Sequence, residues 1–299
     1  MSLLDKLFKS NHNDSIIAIK KKRLAEQKLE SELDQAMALY EQATALHHDG
    51  EYETAAKLLF EAASYGLADA QRSLGVMHCE GLGVRQDHQK GYELLMKAAQ
   101  QHDIKACHNL GVMYYHGFGI DQNHQTAFEW YKKAADHNHP SSCHNIALMY
   151  EYGVGVQPDD EQAATWHERA GELGFVMSYL NLGNLYCAGR GVPQDHVKAV
   201  ACFEKAAAED VAEAKYNLAV HHQRGEGVVQ DLTKAYDYFE QAARLNFAPA
   251  MHQLAICHLE GLGVDKDENA AIAWLHQSAS QDYEPACHLL NERQSKESS

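Results

Sequence analysis

Residues 214–246 read AKYNLAVHHQRGEGVVQDLTKAYDYFEQAARLN, and residues 106–138 read ACHNLGVMYYHGFGIDQNHQTAFEWYKKAADHN. The two stretches align without a gap. Their shared Gly-x-Gly sets a register that extends both ways, as Gly81/Gly83, Gly117/Gly119, Gly153/Gly155, Gly189/Gly191, Gly225/Gly227 and Gly261/Gly263. Each pair follows the last by 36 residues, with no insertion or deletion. A constant period of this length marks a stacked repeat array, in which each unit buries its apolar face only against its neighbours.

Aligning on the glycines gives six units, 67–102, 103–138, 139–174, 175–210, 211–246 and 247–282. In the first half of each unit, Ala70, Ala106, Ser142, Ser178, Ala214 and Ala250 share a column that continues to Ala286. Leu74, Leu110, Ile146, Leu182, Leu218 and Leu254 follow four residues later, and next comes a glycine or alanine. Small and large residues at this spacing describe a helix, here helix A, with a narrow face that lets a neighbour approach closely. The first glycine suits the left-handed stop of that helix. Asp87, Asn123, Asp159, Asp195, Asp231 and Asp267 then fall at or near the N-cap of a second helix, helix B. Helix B repeats an alanine (Ala127, Ala163, Ala199, Ala235, Ala271) and then a bulky position (Leu94, Trp130, Trp166, Cys202, Tyr238, Trp274) expected in the core. The glycine turns follow helices rather than strands, so they are not dinucleotide fingerprints. Valine at Gly155 is expected to cost roughly 1–3 kcal/mol.

On these residues the chain resembles the Sel1-like repeat proteins, relatives of the tetratricopeptide repeat, over residues 67–282. The resemblance implies an all-α fold, a right-handed α/α superhelical solenoid of helix-turn-helix repeats. Residues 34–66 lack the Gly-x-Gly and look like a shorter tetratricopeptide-type hairpin with a tight Asp49-Gly50 turn, an N-terminal cap. Residues 283–299 begin a seventh helix A and are expected to form a capping helix and a disordered tail. Residues 1–33 form a leader: a short amphipathic segment with Leu3, Leu4, Leu7 and Phe8 at helical spacing, a polar linker over Asn11–Ser15, and a charged helix. The leader packs on the cap as a solvated helix, or its first turns dock weakly to a membrane surface or a protein.

A formal net charge of −16 opposes nucleic-acid binding, which requires a basic face. No stretch approaches the ~20 apolar residues of a membrane span, and the N-terminus predicts no secretory signal. Seven cysteines without a Cys-x-x-Cys make a poor disulfide framework, and a reducing cytoplasmic setting is expected. In the cysteine-rich secreted branch of the family, a helix A cysteine pairs with one eight residues earlier. Opposite Cys107, Cys143 and Cys287 those positions are Ala99, Ala135 and Ala279, so the pairing implied by that branch cannot form here.

Twenty histidines raise the question of a metal. Two ligands on one helix need i,i+3 or i,i+4 spacing, which in helix A only His139/Cys143 satisfies, with Pro140 placing His139 at the helix entrance. The adjacent Cys-His pairs point about 100° apart. No metal and no cofactor are expected. His88, His124 and His196, beside the N-caps, are expected to be solvated.

In tetratricopeptide-type arrays helix A lines a concave groove. Carried onto this chain, the resemblance implies a ligand-facing row of Arg72, His108, His144, Leu180, Tyr216, His252 and His288. The adjoining row holds Asn109, Asn145, Asn181 and Asn217, whose amides either hydrogen-bond an extended peptide or tie hairpins together. Tyr115, Tyr152 and Arg224 stand further along as a rim. The function implied is a non-catalytic adaptor binding a protein or peptide partner. Two alternatives are an enzyme or binder acting on cell-wall or β-lactam-type ligands, as in the cysteine-rich branch, and an exported host-interaction factor. No phosphate loop, nucleophile elbow or HExxH supports an enzyme.

Overall fold

The computed structural model describes the backbone of residues 3–297 and the side chains of residues 21–293 apart from 24 and 25. Among the described residues there are fifteen helices and no strand. They are α1 Leu3–His48, α2 Tyr52–Ser64, α3 Ala68–Glu80, α4 His88–Gln100, α5 Ile104–His116, α6 His124–Asp136, α7 Pro140–Tyr152, α8 Asp160–Glu172, α9 Met177–Ala188, α10 His196–Ala207, α11 Ala212–Arg224, α12 Leu232–Arg244, α13 Ala248–Glu260, α14 Glu268–Ala279 and α15 Glu284–Glu297. The protein is an all-α solenoid of consecutively paired helices.

The chain divides into two compact units, one ending at Ala134 and the other starting at Ala135. In the first, α1 pairs with α2 and α3 with α4, while α2 stacks on α3 and α4 on α5. The second repeats the scheme from α7/α8 to α13/α14, and α15 closes on α14.

The fourth repeat shows why 36 residues make one hairpin. Gly189 ends α9 at φ 65°, and its N–H donates to the Leu185 carbonyl. The Arg190 N–H donates to the same carbonyl at 3.1 Å, which satisfies backbone acceptors that the helix end leaves open. Gly191, at φ 68°, lies so close to the preceding hairpin that a Cβ would stand 2.1 Å from the Asp160 backbone. The Asp195 N–H then returns to the Tyr186 carbonyl at 3.0 Å, and its side chain caps α10 through the amides of Val197 and Lys198. Asp87, Asn123, Asp159, Asp231 and Asp267 cap their helices in the same way.

The deep core lies one residue beyond the column expected to fill it. Leu95, Tyr131, His167, Phe203, Phe239 and Leu275 are at most 3% exposed, whereas in the expected column Leu94, Trp130, Tyr238 and Trp274 are half-buried and only Trp166 and Cys202 are buried. The reason is helical phase: the buried stripe of helix B runs Ala127, Tyr131, Ala134, at i, i+4 and i+7. Trp130 sits beside that stripe, with the Lys133 ammonium 3.8 Å from its ring centre. Phe203 packs with Ala199, Ala206 and Leu218, and such burial contributes ~1.5–3 kcal/mol per large side chain.

The ends differ from expectation. The polar stretch Asn11–Ser15 is no linker, because α1 runs through it unbroken from the leader into the cap. The expected disordered tail is helical as far as Glu297. Leu3, Leu4, Leu7 and Phe8 lie outside the residues whose side chains are described. No helix among the described residues is long and apolar enough to cross a membrane.

Candidate functional site

The row on helix A assigned to ligand contact is largely engaged by the next hairpin. In the first unit Arg72 of α3 bonds Asp69 and, at 3.0 Å, Asp103, the N-cap of α5. Burial lowers the pKa of this guanidinium, but the two carboxylates outweigh that and hold it above its ordinary value. His108 tilts onto Tyr131 with ring centres 5.5 Å apart.

The second unit repeats the arrangement. His144 shares a hydrogen bond with the fully buried Ser178 hydroxyl at 2.8 Å and stacks on Phe175 at 4.3 Å. Burial first, and then the nearby His167, push the His144 pKa down to about 4, so the ring is neutral at physiological pH. Tyr216 packs on Phe247 and Phe239, and burial raises its phenol pKa. His252 meets Tyr283, and burial lowers its pKa. Asp103, Phe175, Phe247 and Tyr283 each lie 31 residues after their partner, immediately before the next helix A or, for Phe175, two residues before it. Leu180 is buried. Only His288, on the terminal helix, is exposed, 3.5 Å from Glu292.

The amide row is different. Asn109, Asn145, Asn181 and Asn217 are all half-buried, and Asn217 donates to the exposed Asn184 at 3.3 Å. Beside Asn109 in the first unit, a crevice of about 520 Å³ opens between α3 and α5, lined by Val76, Cys79, His88, Leu95, Val112, Met113 and Phe118 among others. Phe118 is 45% exposed and stacked between His88 and His116.

The rim residues separate. Tyr115 is half-buried against His116 and His124, whereas Tyr152 is 69% exposed and Arg224 is exposed. Tyr152 and Arg224 belong to the last position of helix A, occupied by Glu80, His116, Tyr152, Ala188, Arg224 and Glu260. That position is exposed in all six repeats and chemically different between most of them. Sequence reasoning missed it because Tyr115 was grouped with it one residue out of register.

His88, His124 and His196 are only partly solvated. Each begins a helix B, is half-buried, and carries a buried Nδ1 without a hydrogen-bond partner. The His139 ring caps α7, accepting from the Ser142 amide. The Cys143 thiol points at the Ala135 carbonyl, 3.7 Å away, and none of the seven cysteines is in a disulfide.

The Sel1 repeat profile matches residues 68–103, 104–139, 140–175, 176–211, 212–247 and 248–283. The chain belongs to the Sel1 repeat family. Among solved structures, the array is similar to a protective antigen of uropathogenic Escherichia coli displaying an SLR fold. The TM-score is 0.79 and the identity 29%, over 89% of this chain and 56% of the antigen, so the chain spans little more than half of that protein. It is also similar to a Sel1 repeat protein from Oxalobacter formigenes, with a TM-score of 0.71 and 29% identity over 80% of this chain and 96% of that one. No curated protein matches. Sel1 repeat proteins commonly mediate protein–protein interaction and are generally non-catalytic scaffolds.

Proposed function

We propose that this Sel1 array is a non-catalytic cytoplasmic adaptor that binds a protein or peptide partner along the helix A side of its repeats. The observation that carries the reading is the last position of helix A. It is open to solvent in every repeat while its chemistry runs from carboxylate through imidazole, phenol and methyl to guanidinium. Stacking does not require that variety, and within each unit such differing exposed groups can discriminate one partner from another. The neighbouring half-buried asparagines offer both donors and acceptors to a partner's backbone. In the first unit, the crevice beside Asn109 has the volume of an ordinary side-chain or ligand pocket. The net charge of −16 favours a partner with a basic surface over nucleic acid. Seven cysteines without a Cys-x-x-Cys fit a reducing compartment.

The test is affinity capture with mass spectrometry, followed by titration of the captured protein in purified form. Asn145→Ala, Asn181→Ala and Asn217→Ala combined with Tyr152→Ala and Arg224→Glu should weaken binding at least tenfold, with helical content unchanged. Equal affinity for wild type and variant would remove the helix A side as the binding surface. His144→Ala is unsuitable for this purpose, because that ring holds two hairpins together.

A further inference from the structure

The fourth and fifth repeats bring together a set of side chains that neither stacking nor the adaptor reading uses. Cys187 lies in the last turn of α9, His196 is the first residue of α10, and His221 lies in the last turn of α11. One ligand atom from each lies within 4.8 Å of the other two. The Cys187 Sγ is 3.3 Å from Nε2 of His221. The other nitrogen of His221, Nδ1, is 2.8 Å from the Glu226 carbonyl. A carbonyl can only accept, so Nδ1 carries the proton and Nε2 presents its lone pair to the cluster, the outer-shell arrangement that orients a metal-binding imidazole. His221 is 5% exposed.

Two further observations point to a ligand. The Nδ1 of His196 is buried without a hydrogen-bond partner, as are those of His88 and His124, but only His196 has both a thiol and a second imidazole beside it, with the Glu226 carboxylate 4.0 Å away. A thiol–imidazole hydrogen bond between Cys187 and His221 leaves that atom unsatisfied, at the usual cost of a buried polar group. Moreover, His221 breaks the repeat. The equivalent positions hold Met77, Met113, Met149, Leu185 and Cys257, so an apolar or thiol side chain serves the packing there. Cys79 and His88 reproduce the first two members of the set, but the third position beside them is Met113.

We infer that Cys187, His196 and His221 form a binding site for a divalent cation of the zinc class, which clips α9, α10 and α11 together across two adjacent repeats. One thiolate and two imidazoles are a borderline-soft donor set suited to such ions. Around zinc, bonds of about 2.3 Å to sulfur and 2.0–2.1 Å to nitrogen place tetrahedral ligand atoms roughly 3.4–3.6 Å apart. The Cys187–His221 separation already has this scale, and from the 4.8 Å limit on the other separations the remaining contraction is at most roughly 1.2–1.4 Å. The fourth position would be taken by water or by the Glu226 carboxylate, which is 39% exposed and lies between His196, at 4.0 Å, and Arg224, at 3.9 Å. The ligands come from three helices, 9 and 25 residues apart, which is why spacing within single helices does not find them.

The experiment uses the full-length untagged chain, reduced and stripped with chelator, then titrated with Co²⁺ alone and with Zn²⁺ alone. One tight equivalent of Co²⁺ should bind with a sulfur-to-cobalt charge-transfer band and be displaced by Zn²⁺, and Zn²⁺ should raise the melting temperature. His221→Met places the side chain of the sister repeats at that position and should fold with unchanged helical content. It should weaken binding more than roughly 100-fold, beyond the effect of losing an outer-shell group. Cys187→Ser should abolish the charge-transfer band. The inference is overturned if micromolar Co²⁺ shows no saturable one-equivalent binding, or if His221→Met binds as wild type does. Either result leaves the adaptor reading standing, because none of the three residues belongs to its surface.

Discussion

Gly189→Ala and Gly191→Ala differ by two residues in one turn, yet the structure assigns them different costs. Both glycines have positive φ, 65° and 68°, so alanine at either site meets the left-handed penalty of about 1–2 kcal/mol. Stiffening the unfolded chain returns about 0.4–1 kcal/mol in each case. Beyond that the sites part. A Cβ at Gly189 meets the Gln194 Cβ at 3.2 Å and the Gln194 backbone N at 3.3 Å, contacts that a give of a few tenths of an ångström within the same turn relieves. At Gly191 it overlaps the backbone of Asp160 at 2.1 Å, and only a shift of one hairpin against the next relieves that. Forced repacking of this kind costs a further ~1–3 kcal/mol or more. The expectation is a loss of about 1 kcal/mol for Gly189→Ala and about 2–4 kcal/mol for Gly191→Ala. Urea melts followed by circular dichroism measure both, with the m-value checked because a repeat array can lose cooperativity when one interface weakens. Equal midpoints for the two variants would mean that the second glycine serves the turn alone, refuting its role in seating one repeat on another.

Three other outcomes follow from single residues. An unfolded histidine has a pKa near 6.5 and folded His144 one of about 4, so between these values the unfolded chain binds the proton and the native one does not. Stability should therefore fall with pH from about 6.5 to 4. Discounted for partial exposure, the loss should exceed that of His144→Gln by roughly 1–2 kcal/mol in paired melts at pH 7 and 4. His102 sits at φ 65° where the other repeats place Asn, Asp or Gly, so His102→Asn should stabilise by about 0.5 kcal/mol, read as a raised urea midpoint. Arg72→Met leaves the Asp103 carboxylate, only 10% exposed, without its cation and should cost about 2–3 kcal/mol. Recovery in Arg72→Met/Asp103→Asn would confirm the unpaired charge as the cause, and no recovery would rule it out.

What the chain shows in linear form is what one hairpin decides alone. The glycine stop and the aspartate cap act within ten residues, and both were legible from Gly189 to Asp195. Helix phase was harder: Trp130 has the bulk of a core residue, but Tyr131 has the angle. Contacts between hairpins were not legible at all. His144 carries no mark that Phe175 and Ser178 will cover it, because that depends on how the next helix A enters. The left-handed turns between repeats escaped notice because their residues vary, from Gly174 through Asn138 to His102, while the backbone conformation does not.

The same distinction orders the candidate sites. Where repeats agree, stacking suffices as the reason: the glycines, the caps, and the half-buried row that meets the following hairpin. Function must be sought where repeats disagree without a packing cause, and the disagreements fall into two kinds. At Glu80, His116, Tyr152, Ala188, Arg224 and Glu260 the varying group faces solvent, where change costs the fold little and a partner can read it. At His221 the varying group is buried in a column otherwise filled by Met, Leu and Cys, where a polar ring costs stability unless something satisfies its surroundings. Cys187 and the carbonyl of Glu226 satisfy His221 itself, but His196 beside it still lacks a partner. A bound cation would supply that partner and, in the same act, fix the fourth repeat to the fifth.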